Sequence, residues 1–377
     1  MIYFKEVGVM KKNKIAKLIG MAGASMMALA FLALPVSAGV VEPSGLEDIT
    51  DKKAIQQELD ETGSVTLVDG GVYYLSNILY VSSNQSIEAT GATIYAKEGF
   101  LCNNPEQANY QGLVNFSVNG GNWLSKEEEG RAISSMRFAH GSNLKFTNIY
   151  MKHTNYDGHG LELIGCKDVL VENCTFLPLG TPGHDAVAEM IQIDLAAPST
   201  APTLKKSAPQ LVNGAPCQNI TIRNCEVEGN RGICANYANK DTKYRNKFHS
   251  NIVIENCNIT GACSEGLALF NVKSATVKNN TIISKNSKVA DRAVGLHIGL
   301  FGKGTMKNIT VSNNTLKGKW LALQIWSEAG AKYKKITIKN NKMYAKKKKA
   351  TFNLPEDYYS YVAKKMTMSK NKNYKYK

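Results

Sequence analysis

The chain has 377 residues, a net charge of +15 and 43% apolar residues. The charge is uneven: Lys332 to Lys377 carries +13, Met1 to Lys17 carries +4, and the stretch between sums to −2. A nucleic-acid binder, which would spread a basic footprint over one domain face, is excluded, and beyond the first forty residues so is a bilayer-spanning segment.

Lys11, Lys12, Lys14 and Lys17 precede an apolar run from Leu18 to Leu34 and the small-residue site Pro35-Val-Ser-Ala38. This is the layout of a secretory signal peptide cut after Ala38, with a membrane anchor as the alternative. The mature chain then has about 340 residues, enough for one large domain or two small ones. Asp51 to Glu61 reads as a helix with Thr50 as N-cap, Ala54, Ile55 and Leu59 on one face, and a break at Gly63. It would plug the open end of a solenoid core. Val65 to Ala96 reads as the first coils, with turns at Asp69-Gly-Gly and Thr90-Gly. The expected layout is signal peptide 1–38, N-terminal cap 39–62, repeat body 63–344 and a basic C-terminal cap or tail 345–377.

Seven short strands end in Asn: at Asn148, Asn173, Asn224, Asn256, Asn279, Asn313 and Asn340. Most alternate apolar and polar side chains, the period of a half-buried strand. Asn tolerates left-handed backbone angles, so it suits a sharp corner. Stacked Asn can also hydrogen-bond from coil to coil. A second strand type alternates with the first, as in Gly160-Leu-Glu-Leu163, Gly266-Leu-Ala-Leu269 and Gly295-Leu-His-Ile298. One coil therefore carries at least two strands. The 51-residue gap between Asn173 and Asn224 reads as one coil with inserts at Leu177–Ala188 and Ala196–Cys217. Eight cysteines in an exported chain suggest disulfides. Yet Cys174, Cys225 and Cys257 occupy one repeat position that later coils fill with Asn280, Asn314 and Asn341, so these three read as stacked turn residues with free thiols.

The repeated Asn-x-Thr-Ile/Val-x-Asn-Asn/Cys pattern and the Gly-Leu-x-Leu strands resemble the parallel β-helix repeat of pectate lyases, polygalacturonase-like hydrolases, tailspikes and uronan epimerases. The resemblance covers Val65 to Tyr344. It implies an all-β, single-stranded right-handed parallel β-helix with an N-terminal capping helix. Met136 to Asp194 is similar to exported β-helix proteins of Gram-positive bacteria. Tyr156-Asp-Gly-His-Gly160 resembles part of the polygalacturonase signature, but that family's paired Asp and its Arg-Ile-Lys are absent.

In such enzymes substrate lies in a groove over the outward side chains of one sheet, here assigned to the Gly-Leu strands. Period 2 gives an outward column of Arg137, Glu162, Gln192, Cys234, Ala268, His297 and Gln324, and a second of Asp194, Asn236, Phe270, Gly299 and Trp326. His140, Asp157, His159, His184, Asp185 and Glu189 lie in turns beside the same coils. Arg137, Glu162, Gln192 and Asp194 should then cluster in one open groove. For a hydrolase, Glu162 and Asp194 are the expected carboxylate pair, with Asp157 or Glu189 next. For a lyase or epimerase, Arg137 would neutralise a uronate and His159 or His140 would take the proton. No cofactor is required, although a Ca²⁺ held by Asp185, Glu189 and Asp194 could neutralise equally well. Tyr237, Phe270 and Trp326 could stack on sugars, with Gln192, Asn236 and His140 as polar contacts. His297, roughly 15–20 Å from Glu162 by coil spacing, would serve a distant subsite. The expected partners are a polysaccharide, an acidic one among them, and an anionic cell-envelope polymer held by the Lys-rich tail. The expected location is secreted or at a bacterial cell surface. The reading from a different class is a non-catalytic glycan-binding adhesin.

Overall fold

The computed structural model describes residues 39–47, 50–183, 185, 187–285, 293–328, 332–346, 352–353 and 366–376. The expected signal peptide, His184, and residues 347–351, 354–365 and 377 of the expected C-terminal cap or tail lie outside them.

Each coil holds three strands, one more than the two sequence patterns indicate. The coil after Gly165 shows them: Lys167–Glu172, Thr175–Leu179 and Glu189–Asp194. Stacked coils form three parallel sheets of twelve, ten and eleven strands among the described residues. The twelve-stranded sheet holds the Asn-ended strands and is called the asparagine sheet. The ten-stranded sheet holds the Gly-Leu strands and is called the cleft sheet. The third sheet follows each corner Asn. Most of its strands have four residues, as in Glu226–Gly229 and Thr281–Ser284, too few to show a period. Strand, crossover and parallel strand wind right-handed, as such connections do. The chain is a right-handed parallel β-helix.

All seven corner Asn residues have φ between +55° and +59°, the left-handed region that Asn tolerates best after Gly. The next position stacks through the core. Cys174, Cys225 and Cys257 donate their thiols to the carbonyls of Glu172, Arg223 and Glu255. From Asn280 onward amides take over: Asn280 Nδ2 donates to Asn314 Oδ1 at 3.0 Å, and Asn314 Nδ2 to Asn341 Oδ1 at 3.0 Å. All eight cysteines are buried free thiols.

One apolar core runs from Val41 to Met343. Thr50–Thr62 forms the capping helix, and Ile55 and Leu59 are buried at the end of the core. Ala54, expected on the same face, is exposed. Asp51 fixes the helix start by accepting from Ser44 N at 2.7 Å and Tyr74 N at 2.8 Å. Gly63, at φ +79°, ends it. At the other end Met366–Ser369 pairs with Lys332–Lys339, and Lys372–Lys375 with Lys342–Ala345. The basic C-terminal stretch thus contributes strands of a further coil.

The long coil carries two inserts, at 180–188 and 195–217. The second contains a short helix, Pro202–Ser207. It packs Leu204 and Leu211 against Ala139 and Ile164 on the outside of the cleft sheet.

Candidate functional site

The predicted register of the cleft sheet is correct. Leu161, Leu163, Ile191, Ile193, Leu267 and Leu269 fill the core, so the alternate residues face outward. Arg137 pairs with Glu162, and Glu162 with Gln192. The expectation of an open groove over these residues fails. Glu162 is 4% exposed and accepts from Ser134 Oγ at 2.7 Å, and Asp194 is fully buried. The second insert closes over the row of Ala139, Ile164 and Asp194 at this end of the sheet, so chain ordinarily absent from a coil covers it.

The open cleft lies further along the helix, at the coils of Glu189 to Trp326. Its volume is about 570 Å³. Gln192, His297 and Gln324 line its floor; Asn236, Tyr237, Phe270, Phe301 and Trp326 one wall; Glu189, Arg231, Glu265 and Trp320 the other. The floor comes from the first outward column. The charged wall comes from one repeat position at the start of the cleft strands: Glu189 pairs with Arg231, and Glu265 directly precedes Gly266. A Cβ on Gly266 would lie 2.8 Å from the Ile283 carbonyl, which keeps that corner glycine.

Three charges share the wall with little water. Arg231 donates to Glu189 at 2.8 Å and to Glu265 at 2.9 Å, all three side chains being under 10% exposed. Burial works against the ionised form of Glu265. Arg231, His297 and Ser264 more than offset it and hold the carboxyl well below the usual range. His297 Nδ1 donates to Glu265 Oε1 at 3.0 Å, which leaves Nε2 without a partner. Gln324, the register neighbour of His297, has an unpartnered Oε1. Behind the cleft, Asn236 Nδ2 donates to Asp194 Oδ1 at 3.0 Å, and Asp194 Oδ2 has no partner. Burial first, then the charges of Glu162 and Glu189, push Asp194 well above the usual carboxyl range.

The aromatic wall is continuous. Tyr237 and Phe301 stack at 3.8 Å, Phe270 sits edge-on to His297 at 5.0 Å, and Trp326 lies 5.0 Å from Phe301.

Of the residues expected from sequence, Glu189, Gln192, Asn236, Tyr237, Phe270, His297 and Trp326 line this cleft. His297 therefore stands in the main cavity, not in a distant subsite. Arg137, Glu162, Asp194, Asp157, His159 and His140 do not line it. His140 is buried and donates to the Leu211 carbonyl at 2.8 Å, anchoring the second insert. His153 is buried between Ser135 and the Ala96 carbonyl. Asp157 accepts from Asp185 N and Asn230 Nδ2 and clasps the first insert. His159 Nδ1 donates to the Glu189 carbonyl at 2.6 Å. The histidine clustering in sequence thus reflects, at His140 and His153, packing and not chemistry. Asp185, Glu189 and Asp194 do not form a group able to hold a metal ion, since no such group occurs among the described residues. Sequence reasoning missed Arg231, Glu265, Phe301 and Trp320. The signal for the first two was present: Glu189, Arg231 and Glu265 alternate in sign at one repeat position.

The fold and this cleft define a class, the right-handed parallel β-helix proteins. The model of the right-handed β-helix region matches residues 207–343. Plasmin and fibronectin-binding protein A of Streptococcus pneumoniae is 26% identical over an alignment 217 positions long, which covers 48% of this chain and 29% of that protein. The chain thus matches less than a third of that relative's length. The structure is similar to that of PfbA, a surface adhesin of S. pneumoniae, with TM-score 0.63, 17% identity and 89% of both chains covered. It is also similar to the endo-xylogalacturonan hydrolase of Aspergillus tubingensis, with TM-score 0.52, 15% identity, and 89% of this chain and 93% of that one covered. A tailspike of Acinetobacter baumannii bacteriophage Fri1, a capsular polysaccharide depolymerase, gives TM-score 0.55 and 12% identity, with 90% of this chain and 62% of that one covered. These structural likenesses establish the fold.

Proposed function

We propose that the protein is an exported, surface-associated bacterial glycan-binding protein that holds a run of neutral sugars in the cleft over Gln192, His297 and Gln324. The carrying observation is the lining. Aromatic faces stand opposite planar polar groups, Gln192 and Gln324 among them. Sugars offer apolar faces for stacking and hydroxyls for such groups. Arg231, the one permanent cation in the lining among the described residues, is neutralised by Glu189 and Glu265. A uronate would find no free countercharge there, so the acidic-substrate lyase reading is weaker than neutral-sugar binding. No described helix is long and apolar enough to cross a membrane.

Retention on a panel of neutral polysaccharides tests the reading. Trp326→Ala is expected to weaken binding to the retained polymer tenfold or more. Absence of retention by every neutral polymer would sink it.

A further inference from the structure

The asparagine sheet changes character along the helix. In its middle coils charges alternate: Glu172, Arg223, Glu255 and Lys278 are register neighbours, and Arg223 Nε donates to Glu172 at 2.7 Å. Beyond Glu255 the acids stop. The later strands Ala275–Lys278, Thr305–Ser312 and Lys332–Lys339 contain lysine but no Asp or Glu, and Met366–Ser369 carries no charge.

Their outward side chains form parallel rows. Lys307 pairs with Lys334, and the Lys307 amide donates to the Lys273 carbonyl at 2.9 Å, so these three lysines stack in successive coils. Lys278 and Lys339 flank Ser312 in a second row. Between the rows runs a column of half-buried or exposed hydroxyls, Thr276, Thr310, Thr337 and Thr367. The five lysines are exposed, and none makes a salt bridge among the described residues. Lys273, Lys307 and Lys334 stand on coils about 4.8 Å apart, so each lies within one Debye length, about 8 Å, of its neighbour; their fields add and the face attracts a polyanion.

We propose that this face binds a linear acidic polysaccharide, laid along the helix axis over the threonine column with its carboxylates against lysines of successive coils. Coils lie about 4.8 Å apart, so Lys273, Lys307 and Lys334 offer one cation per coil along the axis that the chain would follow. The threonine hydroxyls both donate and accept, as the sugar hydroxyls between the carboxylates require. The face is separate from the cleft: it uses another sheet, and its ligand is acidic where the cleft's is neutral. The described lysines of the C-terminal stretch, such as Lys372 beside Lys342, belong to the same coils and extend the basic surface.

The test uses the full chain and immobilised polygalacturonate. Lys307→Ser/Lys334→Ser/Lys339→Ser should lose tenfold or more in affinity at low salt and show a shallower salt dependence, since fewer counterions are displaced. Lys273→Ser/Lys278→Ser, in other coils, should lose affinity in the same direction and guards against a folding defect in the first variant. Trp326→Ala should keep full polygalacturonate affinity, which separates this face from the cleft. Both lysine variants staying within twofold of the parent would overturn the proposal. So would tighter binding of poly(glycerol phosphate) or duplex DNA than of polygalacturonate at the same salt, because that would indicate a general phosphate-binding field.

Discussion

Asn236 satisfies one oxygen of Asp194 and leaves the other without a partner, in a place that water does not reach. Burial first, and then the charges of Glu162 and Glu189, raise its folded pKa above the unfolded value. The stability this contributes is complete below the unfolded pKa and is lost as pH rises through the folded one. Asp194→Asn keeps the acceptor for Asn236 and removes the titration. The variant should therefore gain on the parent as pH rises, measured by urea midpoints from pH 5 to 9; parallel curves would contradict the account. Histidines have the opposite sign. Burial pushes His153 and His249 down to about 4 from 6.5, so the unfolded chain takes up protons that the folded one refuses. Their contribution is present above 6.5 and is lost as pH falls from there toward 4. The acid limb of unfolding should fall in that window, and His153→Gln should shift it to lower pH if the amide keeps the contacts to Ser135 and Ala96.

A coil is specified mainly by its corners. The corner Asn and the Cys-or-Asn position behind it carry the same message in every repeat, which is why the sequence revealed the coil, its register and the outward columns. The buried column also explains the mixed chemistry at that position. A thiol and an amide can each donate to the carbonyl two residues back or in the coil before, but an amide oxygen also accepts from the coil before. Asn314→Ala should thus cost about 1–3 kcal/mol, because the Asn280 amide groups lose their acceptor. Asn314→Cys should cost less, and chemical denaturation of the two variants measures the difference. The third strand stayed hidden because four residues show no period. The open cleft was mislocated for a different reason. Outward direction is a property of register and is readable locally, whereas exposure depends on where an insert folds back. Nothing in Leu204 or Leu211 announces that they will land on Ala139 and Ile164. Aromatics at Tyr237, Phe270 and Trp326 were legible because they belong to the repeat or directly follow it; Phe301 and Trp320 sit in connecting chain and were not.

Along the whole molecule, each coil packs only on its two neighbours, so stability is a chain of interfaces with a plug at one end. Leu59→Asp places an unpaired charge at that plug, against the first coils. Loss of amide protection should begin in residues 64–102 and leave the coils around Glu189 to His297 protected, as read by hydrogen exchange. Uniform loss over all coils would show that the stack behaves as one unit. The protected block has a cause already described. Glu189, Arg231, Glu265 and His297 stand in four successive coils and grip one another across the strands. Under tension applied along the helix axis, a solenoid peels one turn at a time, each turn resisting alone. Those four side chains make their turns yield together, so they act as a rivet: unravelling from either end would halt at the cleft, and the binding surface would be the last part of a pulled molecule to come apart.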